Sequence, residues 1–250
     1  MSVIYPEYVA RFYDVVYAQV RTVDHDFYLK KILETKGRVL EIGVGTGRFF
    51  REALAAGADV YGLDPNENML SVLKSQLDAS QHFRISNQNA ETFSLDKKFD
   101  LIIAPFRVFS HLITIEQQLN VLKRVHHHLN KNGIFIFDLF VPDMKLLSEG
   151  MPEHVDFEGE YEPGKKLRRI TSFYSNPTPQ VNEVTMRYEW EEDGKWNTHS
   201  WQFQMRYYFH WELEHLIARS LLKLETIFGD YSENPLTNES KDFVVMCKKG

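Results

Sequence analysis

Nine residues constrain this chain more than any others: Val39-Leu40-Glu41-Ile42-Gly43-Val44-Gly45-Thr46-Gly47. They begin as a short apolar run bracketed by Gly37 and Gly43, which predicts a buried strand. Three glycines then alternate, and after Gly47 the residues Phe49, Phe50, Ala53 and Leu54 recur at the spacing of one helix face. A strand, a glycine turn and a helix start together make a ligand cradle. Glycine takes positive φ and lets a ligand approach without meeting a Cβ. The exposed N–H groups of a helix start favour negative or electron-rich groups.

The spacing of the glycines narrows the ligand. A dinucleotide fingerprint would put its third glycine at position 48, which is Arg48, and no G-x-x-x-x-G-K-[ST] occurs. The form acid-x-Gly-x-Gly-x-Gly resembles the first motif of the class I S-adenosylmethionine (SAM)-dependent methyltransferases. On nine residues alone, a glycine turn of some other α/β protein stays open. A second signal lies downstream. Asp59-Val60-Tyr61-Gly62-Leu63 reads as a strand ending in Asp64-Pro65, and Asp64 follows Gly43 by 21 residues. That is the distance at which an acid at a strand tip meets a ribose, whose two hydroxyl protons a carboxylate accepts together. The run Gly62 to Leu70 resembles the second motif of the same family. The resemblance implies that Glu41, Gly43, Gly45, Gly47, Asp64, Pro65 and Met69 bind SAM, with S-adenosylhomocysteine (SAH) as product.

At 250 residues, 43% of them hydrophobic, the chain can bury a sizeable core. The absence of a long apolar run or signal-like N-terminus is consistent with a soluble, cytoplasmic protein away from membranes. A net charge of −6 argues against a nucleic-acid partner. A lone Cys247 in an apolar strand reads as a small buried hydrophobe.

In chain order, the first 36 residues look helical, with Tyr13 and Tyr17 four apart on one face. Plain periodicity packs that face on the sheet. By resemblance, a Tyr-Asp-x-x-Tyr helix covers the sulfonium and the acceptor in small-molecule methyltransferases. His82 to Ser86 is expected as the third strand. The segment after it resembles the family's adenine-reading position and brings Asn89 and Ala90 to the cofactor, while Glu91 fits a solvated loop equally well. Phe99 to Ala104 is the fourth strand, placing Ala104 beside the cofactor. The loop from Pro105 to His111 should face the reactive end, with Arg107 and Phe109 on the acceptor. It lacks the Asx-Pro-Pro-aromatic and Pro-Cys signatures, so base methylation is not expected. Helix 115–129 ends in His126, His127 and His128, which point around the helix and imply no metal site, only a polar end favoured by the dipole if protonated. Ile134 to Phe140 is the fifth strand. Three extended runs within residues 155–207, two of them joined by the hairpin signal Asp193-Gly194, predict a three-stranded antiparallel insertion. Tyr207 follows it and is expected at the acceptor.

The expected architecture is a doubly wound, mostly parallel seven-stranded α/β sheet, its last strand antiparallel beside the sixth. Residues 1–154 and 208–250 form the SAM-binding core, and 155–207 a lid or a homodimer contact. The expected activity is methyl transfer from SAM to an N or O atom of a small molecule, with His111, Tyr13 and Tyr17 as catalytic residues. A SAM-binding regulator without turnover and a SAM-modifying enzyme are the rival readings.

Overall fold

All four residues of β1 (Val39–Ile42) are buried, as a strand must be when helices cover both of its faces. The computed structural model describes residues 4–18 and 23–250. Two helices, α1 (Glu7–Tyr17) and α2 (Val23–Glu34), precede β1; of the N-terminal stretch read as helical, residues 1–3 and 19–22 lie outside the described residues. The chain continues through α3 (Phe50–Ala55), β2 (Val60–Asp64), α4 (Glu67–Ser75), β3 (Ile85–Asn87), β4 (Phe99–Ala104), α5 (Ile115–His128) and β5 (Leu129–Phe140). After α6 (Met144–Glu149) come four long strands, β6 (Met151–Glu162), β7 (Lys165–Asn176), β8 (Val181–Glu192) and β9 (Lys195–Arg206). The chain ends with α7 (His210–Ala218), β10 (Leu222–Phe228) and β11 (Asp242–Lys249).

Seven strands form the main sheet in the order β10-β11-β5-β4-β1-β2-β3, with β11 antiparallel to both of its neighbours. Strand order reverses between β1 and β4, and a ligand site is expected beyond the carboxyl ends of those strands. Side-chain alternation divides the core. Leu40, Ile42, Ile102 and Phe135 pack on the side of Val121, Leu122 and Leu213 from α5 and α7. Val39, Leu101, Ile103 and Ile136 pack on the side of Ile32, Phe50 and Leu70 from α2, α3 and α4. The doubly wound α/β fold is therefore as the sequence predicts.

Three local expectations need correction. The third strand is shorter and later than expected: Asp78 accepts from Ser80 N at 2.8 Å and starts a 3-10 turn over Ala79–Arg84, leaving Phe83 exposed before β3. His128 is not a charged helix end. It is buried, stacked on Phe93 at 4.4 Å, with Nδ1 2.8 Å from Arg124 O and Nε2 accepting from Leu95 N at 3.1 Å. Burial lowers its pKa, and that bonding pattern suits the neutral ring.

The second sheet has four strands in the order β6-β7-β8-β9, not three, and begins at Met151. Its first strand escapes sequence reading because Met151–Glu162 contains Pro152, Gly159 and four glutamates and lies largely exposed. The β8–β9 turn places Asp193 at φ 52 and Gly194 at φ 71, as a two-residue hairpin of this twist requires. One face of the sheet packs Leu167, Tyr188, Trp190 and Trp201 against Val9, Phe12 and Val16 of α1. Burying a ring such as Phe12 stabilises by about 1.5–3 kcal/mol, so α1 and the second sheet hold each other in place. Among the described residues no helix is long and apolar enough to cross a membrane.

Candidate cofactor and acceptor site

The glycine turn is tied to β2 before any ligand is considered. Gly43 N and Val44 N donate to Leu63 O at 2.8 and 3.0 Å, which sets the loop beside Asp64. Gly45 sits at φ +53, and a Cβ built there meets only Met69 Cε at 3.2 Å among nearby side chains, so it would project into the cavity the loop borders. Gly47, at φ +86, has a different task. A Cβ there would lie 2.3 Å from Leu73 Cδ1, so this glycine lets α4 close on the loop and does not line the cavity.

Asp64 accepts from Gly45 N at 3.0 Å through Oδ2 and from Asn66 N at 2.8 Å through Oδ1. Burial pushes its carboxyl up to about 6, against the lowering effect of those two N–H groups. Each oxygen keeps a lone pair for another donor. Glu41 lies beneath, 2% exposed, and its Oε2 has no partner. Burial first, and Asp64 second, hold its carboxyl well above the usual range. The Asp64 oxygens that keep a lone pair fit ligand hydroxyls, and the glycine surface fits a flat group. Both features suit SAM, whose ribose hydroxyls and nucleoside need such partners.

The cavity has a volume of about 330 Å³. Gly43, Gly45, Asp64, Pro65, Met69, Asn89 and Ala90 line one end. Asn89 Oδ1 already accepts from Glu91 N at 2.8 Å, so a ligand amine would share that oxygen with the turn. Glu91 belongs to the wall and accepts from Gln117 Nε2 at 3.0 Å. Tyr13, Tyr17, Arg107 and His111 line the cavity as well.

Glu41, Gly47 and Ala104 support the cradle from behind without lining it. Phe109 and Tyr207 leave the site. The 3-10 turn Val108–His111 has three residues per turn, so Val108 and His111 share the cavity side. Phe109 turns the other way onto Phe137, with ring centroids 4.6 Å apart. Tyr207 is buried beside Phe209 just past β9. Arg107 reaches the cavity, but its guanidinium is engaged elsewhere. It donates to Asp138 Oδ2 at 2.7 Å, to Tyr231 Oη at 3.2 Å and to Asp242. Tyr28 and Tyr231 also donate to Asp138, at 2.8 and 2.9 Å. This clasp anchors a strained turn, because Phe106 and Arg107 both sit at positive φ, 59 and 65°. The turn delivers the Phe106 ring to Tyr17 at 5.1 Å.

An unbroken arc of rings follows. From Phe106 it runs through Tyr17, Tyr13 (4.6 Å from Tyr17), Tyr5 (6.2 Å on), Trp201 (4.6 Å), Phe203 (4.1 Å) and His111 (5.9 Å). Sequence reasoning missed Tyr5, Phe106, Met186, Trp201, Phe203 and Met205 as lining residues. The period-two apolar pattern of Trp201, Phe203 and Met205 marks one strand face, and that was the available signal. Asp14 completes the Tyr-Asp-x-x-Tyr segment by clasping the glycine loop: Thr46 Oγ1 donates to it at 2.5 Å and Arg51 at 3.1 Å.

His111 reaches the cavity, but its setting makes it a weak base. It is half-buried at the cavity wall, with Nε2 3.3 Å from Tyr5 Oη, and burial pushes its pKa down to about 4. Its Nδ1 makes no well-aligned hydrogen bond, and the nearby backbone of Gln204 offsets the burial only weakly.

With this geometry in hand, the chain can be compared with known proteins. A family model described as a methyltransferase domain matches residues 39–133, the stretch from β1 into β5. Residues 39–133 of this chain are thus similar to a methyltransferase domain. An uncharacterised methyltransferase of Bacillus mycoides is 31% identical over 124 residues, which cover 50% of this chain and 57% of that protein. The chain thus spans a little over half the length of the curated relatives it matches. The fold extends further than the sequence match. A SAM-dependent methyltransferase from Clostridium acetobutylicum superposes with a TM-score of 0.78 at 18% identity, covering 98% of each chain. The sugar N-methyltransferase KedS8 of a Streptoalloteichus species gives 0.73 at 14% identity, covering 93% of this chain and 91% of its own. The methyltransferase fold therefore includes the second sheet, since both superpositions cover nearly the whole chain.

Proposed function

We propose that this protein transfers a methyl group from SAM to the nitrogen of a small-molecule amine and releases SAH. What supports nitrogen is the setting of His111, whose Nε2 lies 3.3 Å from Tyr5 Oη in a ring-lined cavity where burial lowers its basicity. A hydroxyl acceptor must lose its proton to attack, and an imidazole with a pKa of about 4 takes that proton poorly. Tyr5 and Tyr13 are held protonated by burial and offer no base either. An amine can shed its proton to solvent on binding, and its neutral form then attacks through a free lone pair with no base in the site.

Bound SAM supplies an electrophilic methyl carbon on a sulfonium. The acceptor nitrogen forms the new C–N bond while the C–S electron pair stays on sulfur, and the ammonium proton leaves afterwards to solvent. The positive charge moves without being created, so a low-dielectric site lined by rings suits the step. Within this scheme Asp64 holds the ribose hydroxyls, Glu41 supports the glycine loop from behind, and Gly45 keeps the surface flat. Tyr13 and Tyr17 orient the acceptor, with proximity supplying most of the acceleration. Trp201 and Phe203 of β9 close the acceptor end and exclude water, which favours the lid reading of the second sheet over the dimer contact.

Incubation with trideuteromethyl-SAM and candidate amines, read by mass spectrometry, tests this. A labelled amine with stoichiometric SAH is the expected result. Tight SAM binding without turnover would make the protein a SAM-responsive regulator, and an altered nucleoside would make it a SAM-modifying enzyme.

A further inference from the structure

The acceptor end of the cavity carries a chemical bias. Arg107 is the one lysine or arginine among the described residues that line it. Its guanidinium is held by Asp138 and Asp242 and backed by Tyr231. A ligand phosphate or carboxylate would have to break a buried ion pair whose acidic partner, Asp138, is fully enclosed. The carboxyl groups of Asp64 and Glu91 line the same cavity nearer its cofactor end and add no positive charge to it. The remaining surface is the ring arc from Phe106 to Phe203, with Met186 and Met205 beside it. Such a surface gains from apolar contact and from a cation near ring faces, and offers an anion only neutral donors such as the tyrosine hydroxyls, with no free cation among the described residues that line it.

We infer that the acceptor is a compact amine on an apolar framework that bears neither phosphate nor carboxylate. This rests on the methyl-transfer reading above and specifies its substrate class. Recognition comes from shape and rings, with β9 supplying Trp201 and Phe203 as the specificity-determining pair. The charge distribution works the same way in product as in substrate, because methylation leaves the amine basic.

The test is calorimetric titration of the intact protein, saturated with SAH, with three isosteric probes: 2-phenylethylamine, 2-phenylethanol and 3-phenylpropanoate. The amine should bind at least tenfold more tightly than the carboxylate, and the alcohol no more tightly than the amine. Trp201→Ala should weaken the amine at least fivefold while leaving SAH affinity within twofold. Phe203→Leu gives an independent reading should the tryptophan variant fail to fold. Equal or tighter binding of 3-phenylpropanoate would overturn the inference, as would amine binding indifferent to both substitutions. Failure of SAH itself to bind would instead break the cofactor reading, and titrations without SAH would then judge the cavity's preference alone.

Discussion

Affinity for SAH should fall about tenfold between pH 7.5 and pH 5, and one carboxyl accounts for it. Free Asp64 titrates at about 6 because burial penalises its charge more than the Gly45 and Asn66 N–H groups favour it. Two ribose hydroxyls donating to it would return it to the ordinary carboxylate range, near 4. At pH 7.5 nearly all of the free protein is ionised and ready to accept. At pH 5 only about one molecule in eleven is, so binding must expel a proton and weakens roughly tenfold, or about 1.4 kcal/mol. Stability runs in the opposite direction. The folded pKa lies above the unfolded value of 3.8, so the contribution of this group is fully present below pH 3.8 and is lost as pH rises through 6. That loss amounts to at most about 3 kcal/mol for the unliganded protein. Asp64→Asn removes the titration. Its single oxygen cannot serve Gly45 N, Asn66 N and two hydroxyls together, so affinity at pH 7.5 should drop about ten- to a hundredfold. Calorimetry at four pH values on both proteins decides the matter. A flat wild-type profile, or the same slope in folded Asp64→Asn, would refute the ribose assignment.

Three other outcomes follow from the same geometry. Gly45→Val should abolish detectable SAM binding while circular dichroism stays native, because its branched side chain would project into the cavity; tight binding would count against the cradle. His111→Ala should lower kcat by less than tenfold and leave the pH–rate profile between 6 and 8 unchanged, and a loss of a hundredfold or more would make His111 the base after all. Arg107→Met should lower stability by about 3–5 kcal/mol, read by urea unfolding, since it strands the buried Asp138 carboxylate beneath the Phe106 turn; a near-neutral effect would show that the clasp is not what holds the turn.

The cofactor half of the site was legible because it is local. Gly43 to Gly47 and Asp64 lie on consecutive strand ends, so spacing alone brings them together across β1 and β2. The acceptor half converges from α1, the turn after β4, and β9, which are far apart in sequence. Periodicity identifies a face of each element but not the neighbour that the face meets. Phe109 shows the failure in one residue: read as a loop aromatic beside the reactive end, it lies in a 3-10 turn whose phase sends it to the core. Arg107 shows another. Its charge was visible, but Asp138 and Asp242, the partners that neutralise it, come from β5 and β11.

Helix α1 explains why these two halves form one site. Its apolar residues read as one broad face for packing on a sheet, but the helix presents three sides with separate tasks. Phe12 and Val16, four apart, bury against Trp190 and the rest of the second sheet. Tyr13 and Tyr17, one position on, form the cavity wall. Asp14 then reaches Thr46 in the glycine loop and Arg51 in α3. Each contact constrains the others, because a helix turns as a rigid body about its axis. Shifting the second sheet against Phe12 would therefore move the tyrosines and the hold of Asp14 on the loop together. A single eleven-residue helix thus ties the glycine loop to the ring-lined wall of the cavity.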